Sequence, residues 1–190
     1  SKRYKSLKKI DINSPTELYT GVDNKTDTKV FIKKIHVNTN YINEESLVRF
    51  RNETAHAKKI DHQNILKLYD LIETEDYFLL VMEHFDGNIL SEVSSNYTFD
   101  EKINIILEIA NTLEHIHKKD IVHKDVKPQN FLVNRNGRIN LKILDFGSYN
   151  LINFANLDKD IISLSSLNYI APEQTGLLQR NIDNRSDLYS

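Results

Sequence analysis

Cysteine is absent from the chain, which excludes disulfide bridges and thiolate metal sites and suits a reducing compartment. Glycine occurs only 5 times and proline only 3, while Asn, Ile and Lys are abundant, a bias that genome composition explains more simply than function does. No apolar run approaches the roughly 20 residues of a membrane span, and residues 1–9 lack the apolar core of a signal peptide. Neither sign of charge dominates: the formal net charge is −2 and the pI ≈ 6.4, so no bulk field favours nucleic acid or an anionic membrane. What is present is ordinary globular composition, 39 % hydrophobic and 27 % charged over 190 residues, enough for one domain or two small lobes. The first residue is Ser rather than Met, which reads as a piece of a longer protein.

No internal repeat or low-complexity linker interrupts the chain. Residues 4–35 read as strands with polar turns: Glu17–Thr20, the turn Asp23-Asn24-Lys25, then Lys29–Lys33. A helix is predicted over 44–60, followed by strands at Ile65–Glu73 and Tyr77–Glu83 and a connector at Phe85-Asp86-Gly87-Asn88. A second helix opens with the capping box Thr98-x-x-Glu101, and its stripe Ile103, Ile106, Leu107, Ala110, Leu113 has helical period. Short strands are predicted around Phe131–Asn134 and Asn140–Ile143, joined through Asn136-Gly137, a hairpin signal. From Asp145 onward the chain is turn-rich. Strands plus one helix, then helix plus loops, make a two-lobed α+β plan.

Three motifs stand in order: His123-Lys124-Asp125-Val126-Lys127-Pro128-Gln129-Asn130, then Asp145-Phe146-Gly147, then Ala171-Pro172-Glu173. Each alone is weak, and the last two would pass as surface turns. Together they resemble the catalytic loop, metal-binding loop and closing motif of protein kinases. The resemblance runs from about residue 8 to the end and implies a two-lobed kinase-like fold with a truncated C-terminal lobe. The N-terminal lobe is expected over 1–83, as a five-stranded sheet with one helix, and the hinge and partial C-terminal lobe over 84–190. Phosphoryl transfer asks a protein mainly for positioning and charge compensation. Asp125 fits the carboxylate that takes up the hydroxyl proton, and Lys127 the cation that offsets charge in transfer. Asn130 and Asp145 supply oxygen ligands for Mg²⁺.

The N-terminal half gives an independent check. In the first helix, Ser46, Phe50, Glu53, Ala57 and Ile60 share one face, and an inward carboxylate there needs a cation. Lys33 resembles the strand lysine that pairs with this glutamate and holds the α- and β-phosphates of ATP. The alternative leaves Glu53 on an exposed flank and Lys33 as a solvated charge. Met82-Glu83-His84-Phe85 resembles the hinge, with backbone groups of Glu83 and Phe85 on adenine, Met82 behind the pocket and Leu132 beneath the ring. The endings 172–176 and 184–190 are similar to serine/threonine kinase domains at the front of multidomain signalling proteins that also carry a P-loop ATPase module and a histidine kinase.

The sequence departs from that family at four places. Asp11–Tyr19 holds no glycine-rich loop, although Ser14 and Thr16 offer hydroxyls. Phe31 holds the position of an alanine that faces adenine, and strand alternation puts it on the face of Lys33. Lys124 replaces an arginine that commonly receives an activation-loop phosphate, and lysine lacks the bidentate fork; Ser163, Ser165 and Ser166 remain candidate sites. The chain stops at Ser190, just past Asp187, which resembles an aspartate supporting the catalytic loop; Glu173 is expected to lack its usual arginine partner, and the isolated piece is expected to be inactive. The resemblance implies an ATP- and Mg²⁺-dependent cytoplasmic protein serine/threonine kinase, acting on a protein substrate and joined to further domains. The second reading is a pseudokinase module that binds or regulates without turnover. His56, His84, His115 and His117 are assigned no chemistry.

Overall fold

Five strands pair by alternating burial into one antiparallel sheet: β1 (Tyr4–Ile10), β2 (Glu17–Asp23), β3 (Thr28–His36), β4 (Leu68–Glu73) and β5 (Tyr77–Glu83), in the order β1-β2-β3-β5-β4. The computed structural model describes residues 3–10, 16–36, 44–144, 168–175, 178 and 180–190. Register assigns the sheet's two faces. Phe31 lies opposite Thr20 and Met82, and Lys33 opposite Leu18 and Leu80, so these side chains share the inner face. Tyr4, Val30, Ile32 and Val81 pack together on the other face. The β2–β3 turn closes where the Asp23 carbonyl accepts the Asp27 N–H at 2.7 Å.

Helix α1 (Glu44–Ala57) packs Phe50, fully buried, against Ile35, Phe78 and Leu80. It is shorter than the predicted 44–60 because Lys59 and Ile60 bond three residues back, to His56 and Ala57, tightening the last turn. Of the expected inward stripe, Phe50 and Ile60 are buried, and Thr54 joins them. Strand β4 also starts later than predicted. Ile65 leaves the sheet to bridge Ile143, while Ile143 N–H donates to the Asn64 carbonyl at 2.7 Å.

The remaining elements are β6 (Asn88–Ile89), α2 (Leu90–Val93), α3 (Phe99–His117), β7 (Phe131–Asn136), β8 (Arg138–Ile143) and α4 (Asn184–Tyr189), with β6-β7-β8 as a second sheet. Gly137 turns the β7–β8 hairpin at φ 77°, a left-handed conformation that glycine adopts without strain. The capping box of α3 forms as predicted, Thr98 and Glu101 each satisfying the other's backbone N–H. Its predicted stripe holds only at Leu113. Ile103, Ile106 and Leu107 are exposed, and the buried face is Ile105, Thr112, Leu113 and Ile116, packed against Phe131, Val133 and Leu141. The helix carries two apolar stripes of equal period, and the β7–β8 sheet selects the second. No helix among the described residues is long and apolar enough to cross a membrane.

Candidate active site

The loop between α3 and β7 is built around one buried carboxylate. Asp187, in the first turn of short α4, accepts the N–H of His123 at 2.8 Å and of Lys124 at 2.7 Å, and pairs with His117 Nε2 at 2.7 Å. These bonds hold Lys124 at φ 70°, a backbone conformation that disfavours any residue with a Cβ. The Gln174 carboxamide adds a second clamp: its amide Nε2 donates to the Lys124 carbonyl at 2.7 Å and its Oε1 accepts the Ala171 N–H at 3.0 Å. Pro128 then starts a single 3₁₀ turn that ends at Asn130.

The turn gathers two predicted residues around the Asp125 carboxylate. Lys127 Nζ lies 2.9 Å from Asp125 Oδ1, and Asn130 Nδ2 donates to Asp125 Oδ2 at 2.8 Å. Asn130 Nδ2 also reaches the Asp125 carbonyl at 2.7 Å, so the amide oxygen of Asn130 takes no part in these bonds. Leu144 N–H donates to the Asn130 carbonyl at 2.9 Å. Asp145, Phe146 and Gly147 lie outside the described residues, as do Ser14, Ser163, Ser165 and Ser166.

Lys33 is buried on the inner face of β3, between Leu18 and Leu80 of the flanking strands. Glu53 closes its ion pair elsewhere than expected: its partner is Lys124 Nζ at 2.7 Å rather than Lys33. Lys124 keeps only 16 % of its side chain exposed, and an ammonium that desolvated needs a counter-ion; the half-buried Glu53 on α1 is the carboxylate that supplies it.

The segment after β5 runs irregularly from His84 to Gly87. A Cβ on Gly87 would fall 2.5 Å from the Phe85 ring and 2.8 Å from the Val133 carbonyl, so this sharp connection requires glycine. The Glu83 carboxylate bonds Lys142 Nζ at 2.8 Å, tying β5 to β8. Between the two sheets lies a packed apolar cluster: Leu18, Phe31, Leu66 and Met82 on one side, Ile89, Leu132 and Leu144 on the other, with Phe85 against it. The His84 imidazole lies 4.6 Å from the Phe31 ring, and burial, with nearby Lys29, holds it below its ordinary pKa and so neutral.

Two contributors escaped the sequence reading. His117, assigned no role, supports Asp187 across 70 residues of chain, and Gln174 links the closing turn to the catalytic loop across 50. Local spacing carries no trace of such separations. Glu173 accepts a hydrogen bond from the Ser186 hydroxyl, which holds its pKa below the ordinary value.

A loop clamped in this way, set between a five-stranded sheet with one helix and a hairpin with a long helix, defines a class. The chain belongs to the protein kinase domain family, whose pattern it matches over residues 4–190. It is 33 % identical to the serine/threonine-protein kinase PrkC of Bacillus subtilis, the alignment spanning 100 % of this chain and 29 % of that protein. It is 30 % identical to the probable serine/threonine-protein kinase PknB of Lactococcus lactis, over 99 % of this chain and 30 % of that protein. The chain thus spans less than a third of the length of either relative. Among solved structures, Rad53 1-466 in complex with AMP-PNP superposes with a TM-score of 0.70 at 21 % identity, covering 99 % of this chain and 46 % of that one. That likeness establishes a shared protein kinase fold.

Proposed function

We propose that the chain forms the nucleotide-binding and catalytic part of a protein serine/threonine kinase, with residues 1–83 as the N-terminal lobe and 84–190 as the hinge and part of the C-terminal lobe. One observation carries the reading: the Asp125 carboxylate is held between Lys127 and Asn130, on a loop that Asp187 clamps from beneath. The donors suit the group. Lys33 brings a cation to the inner face of the sheet, the Asn130 amide oxygen is of the kind Mg²⁺ takes, and the surroundings of Leu18, Met82 and Leu132 are as apolar as a base requires. ATP with Mg²⁺ supplies the phosphoryl group.

On this reading Asp125 orients a serine or threonine hydroxyl and accepts its proton. Lys127 offsets the charge that builds on the phosphoryl oxygens. Lys33 would hold the phosphates, Asn130 and Asp145 would hold the cation, and Leu132 with the backbone of Glu83 and Phe85 would hold the base. On the same reading Glu53 steadies Lys33. A protein substrate, further domains in the same chain and a cytoplasmic site belong to the same proposal. The buried Phe31 favours one competing reading, a module of this fold without turnover.

The experiment incubates the full-length protein with Mg·ATP and a generic protein acceptor, beside Asp125→Asn and Lys33→Met. Transfer by the native protein with a loss of about a hundredfold or more in both variants supports the kinase. Equal transfer by all three defeats it, and a thermal shift with Mg·ATP but no transfer favours the module without turnover.

A further inference from the structure

Phe31 and Lys33 are two residues apart on β3, so their side chains leave the same face about 7 Å from one another. The step from Lys33 to Phe31 runs towards Glu83, because Lys33 pairs with Leu80, Phe31 with Met82 and Val30 with Glu83. If Lys33 marks the phosphate end of a bound nucleotide, the base falls one strand repeat along, at Phe31. That space is filled. Phe31 is 3 % exposed and belongs to one cluster with Leu18 and Met82 of the first sheet and Leu132 and Leu144 of the other side. A slot that suits a flat heteroaromatic ring holds the chain's own flat ring, with a second ring, His84, against it.

We propose that Phe31 is a gate on the nucleotide site: its ring stands where the base would sit, so the base enters only when the ring swings out, while the phosphate end is unaffected. The inference rests on the kinase reading above and deepens it. The swing is a χ1 rotation between staggered wells. It takes a phenyl group out of an apolar cluster, so the open state is the minor one, and apparent affinity falls by the fraction open. Burial of one phenyl ring sets that factor at roughly tenfold to a hundredfold.

The test titrates the full-length protein by calorimetry with Mg·ATP and, separately, with inorganic tripolyphosphate, which has no base. Native protein, Phe31→Ala and Phe31→Val are compared, each with its cooperative thermal transition recorded first. Both smaller side chains are expected to tighten Mg·ATP by about tenfold or more and to leave tripolyphosphate unchanged. Should Phe31→Ala fail to fold, Phe31→Val decides. In the native protein, Mg·ATP should also shift the His84 imidazole resonances and tripolyphosphate should not. Equal Mg·ATP affinity in native protein and Phe31→Val overturns the gate and leaves the kinase reading standing. A gain shared by tripolyphosphate overturns it too, since the effect is then not on the base. Absence of binding of both probes by every form overturns the gate and the kinase reading together.

Discussion

Lys124 shows how one side chain can be constrained from three directions. Its N–H is fixed by Asp187, its carbonyl by Gln174, and its ammonium by Glu53, while its backbone sits at φ 70°. The two backbone bonds hold a conformation that costs on the order of 1 kcal/mol for a residue with a side chain. The Glu53 pair is half-exposed on its acidic side, so solvent screens it and its worth is modest. A double-mutant cycle with Lys124→Met and Glu53→Gln, read by urea unfolding, should give a coupling of about 1 kcal/mol. A coupling indistinguishable from zero would mean the contact is incidental. The departure from the expected Lys33–Glu53 pair has a plain cause: spacing along α1 shows that Glu53 needs a cation, but not which of two cations, from β3 or from the catalytic loop, reaches it.

At the scale of elements, α3 divides what residues alone determine from what their neighbours decide. Its start is local chemistry, Thr98 and Glu101 meeting within one turn, and so was readable. Its buried face is not local, because two stripes share the helical period and only the β7–β8 sheet chooses between them. Ile116→Ala should cost about 2–5 kcal/mol and Ile106→Ala under about 1 kcal/mol, measured by chemical denaturation. The reverse order would restore the predicted stripe. Strand β5 was likewise legible in the sequence, whereas the late start of β4 depended on Ile65 finding Ile143. Of the site, Asp125, Lys127 and Asn130 were legible because they stand in one short motif, residues 123–130, that resembles the kinase catalytic loop, while His117 and Gln174 act across the fold.

Glu17 offers a pH test of the first sheet. It joins β1 to β3 through Lys9 at 2.7 Å, His36 at 3.3 Å and Lys34 at 3.5 Å. The hydrogen bond from Lys9, then that from His36, lowers its pKa from 4.5 to about 2. Below 4.5 the unfolded chain binds the proton that the folded chain refuses, so the contribution of Glu17 is whole above that pH and is lost as pH falls towards about 2. The stability difference between native protein and Glu17→Gln should therefore shrink across this window in acid unfolding. A difference that is the same at both ends would show that the carboxylate is not held by these cations.

Across the whole molecule, the two sheets and the segments packed on them are linked, among the described residues, by the Ile65–Ile143 bridge, the Glu83–Lys142 pair, the Glu53–Lys124 pair and the apolar cluster around Phe31. On the proposed reading the site lies along that junction, with Lys33 contributed by one side and Asp125, Lys127 and Asn130 by the other. A site assembled from two bodies can bind without reacting, so binding and chemistry must be read separately. The most direct measurement is the single-turnover rate of γ-phosphate transfer to a protein hydroxyl by full-length protein and Asp125→Asn, alongside their affinities for Mg·ATP. Asp125→Asn should bind Mg·ATP within about twofold of the native protein and transfer phosphate about a hundredfold or more slowly. Transfer at the native rate without the Asp125 carboxylate would contradict its role as the group that receives the proton.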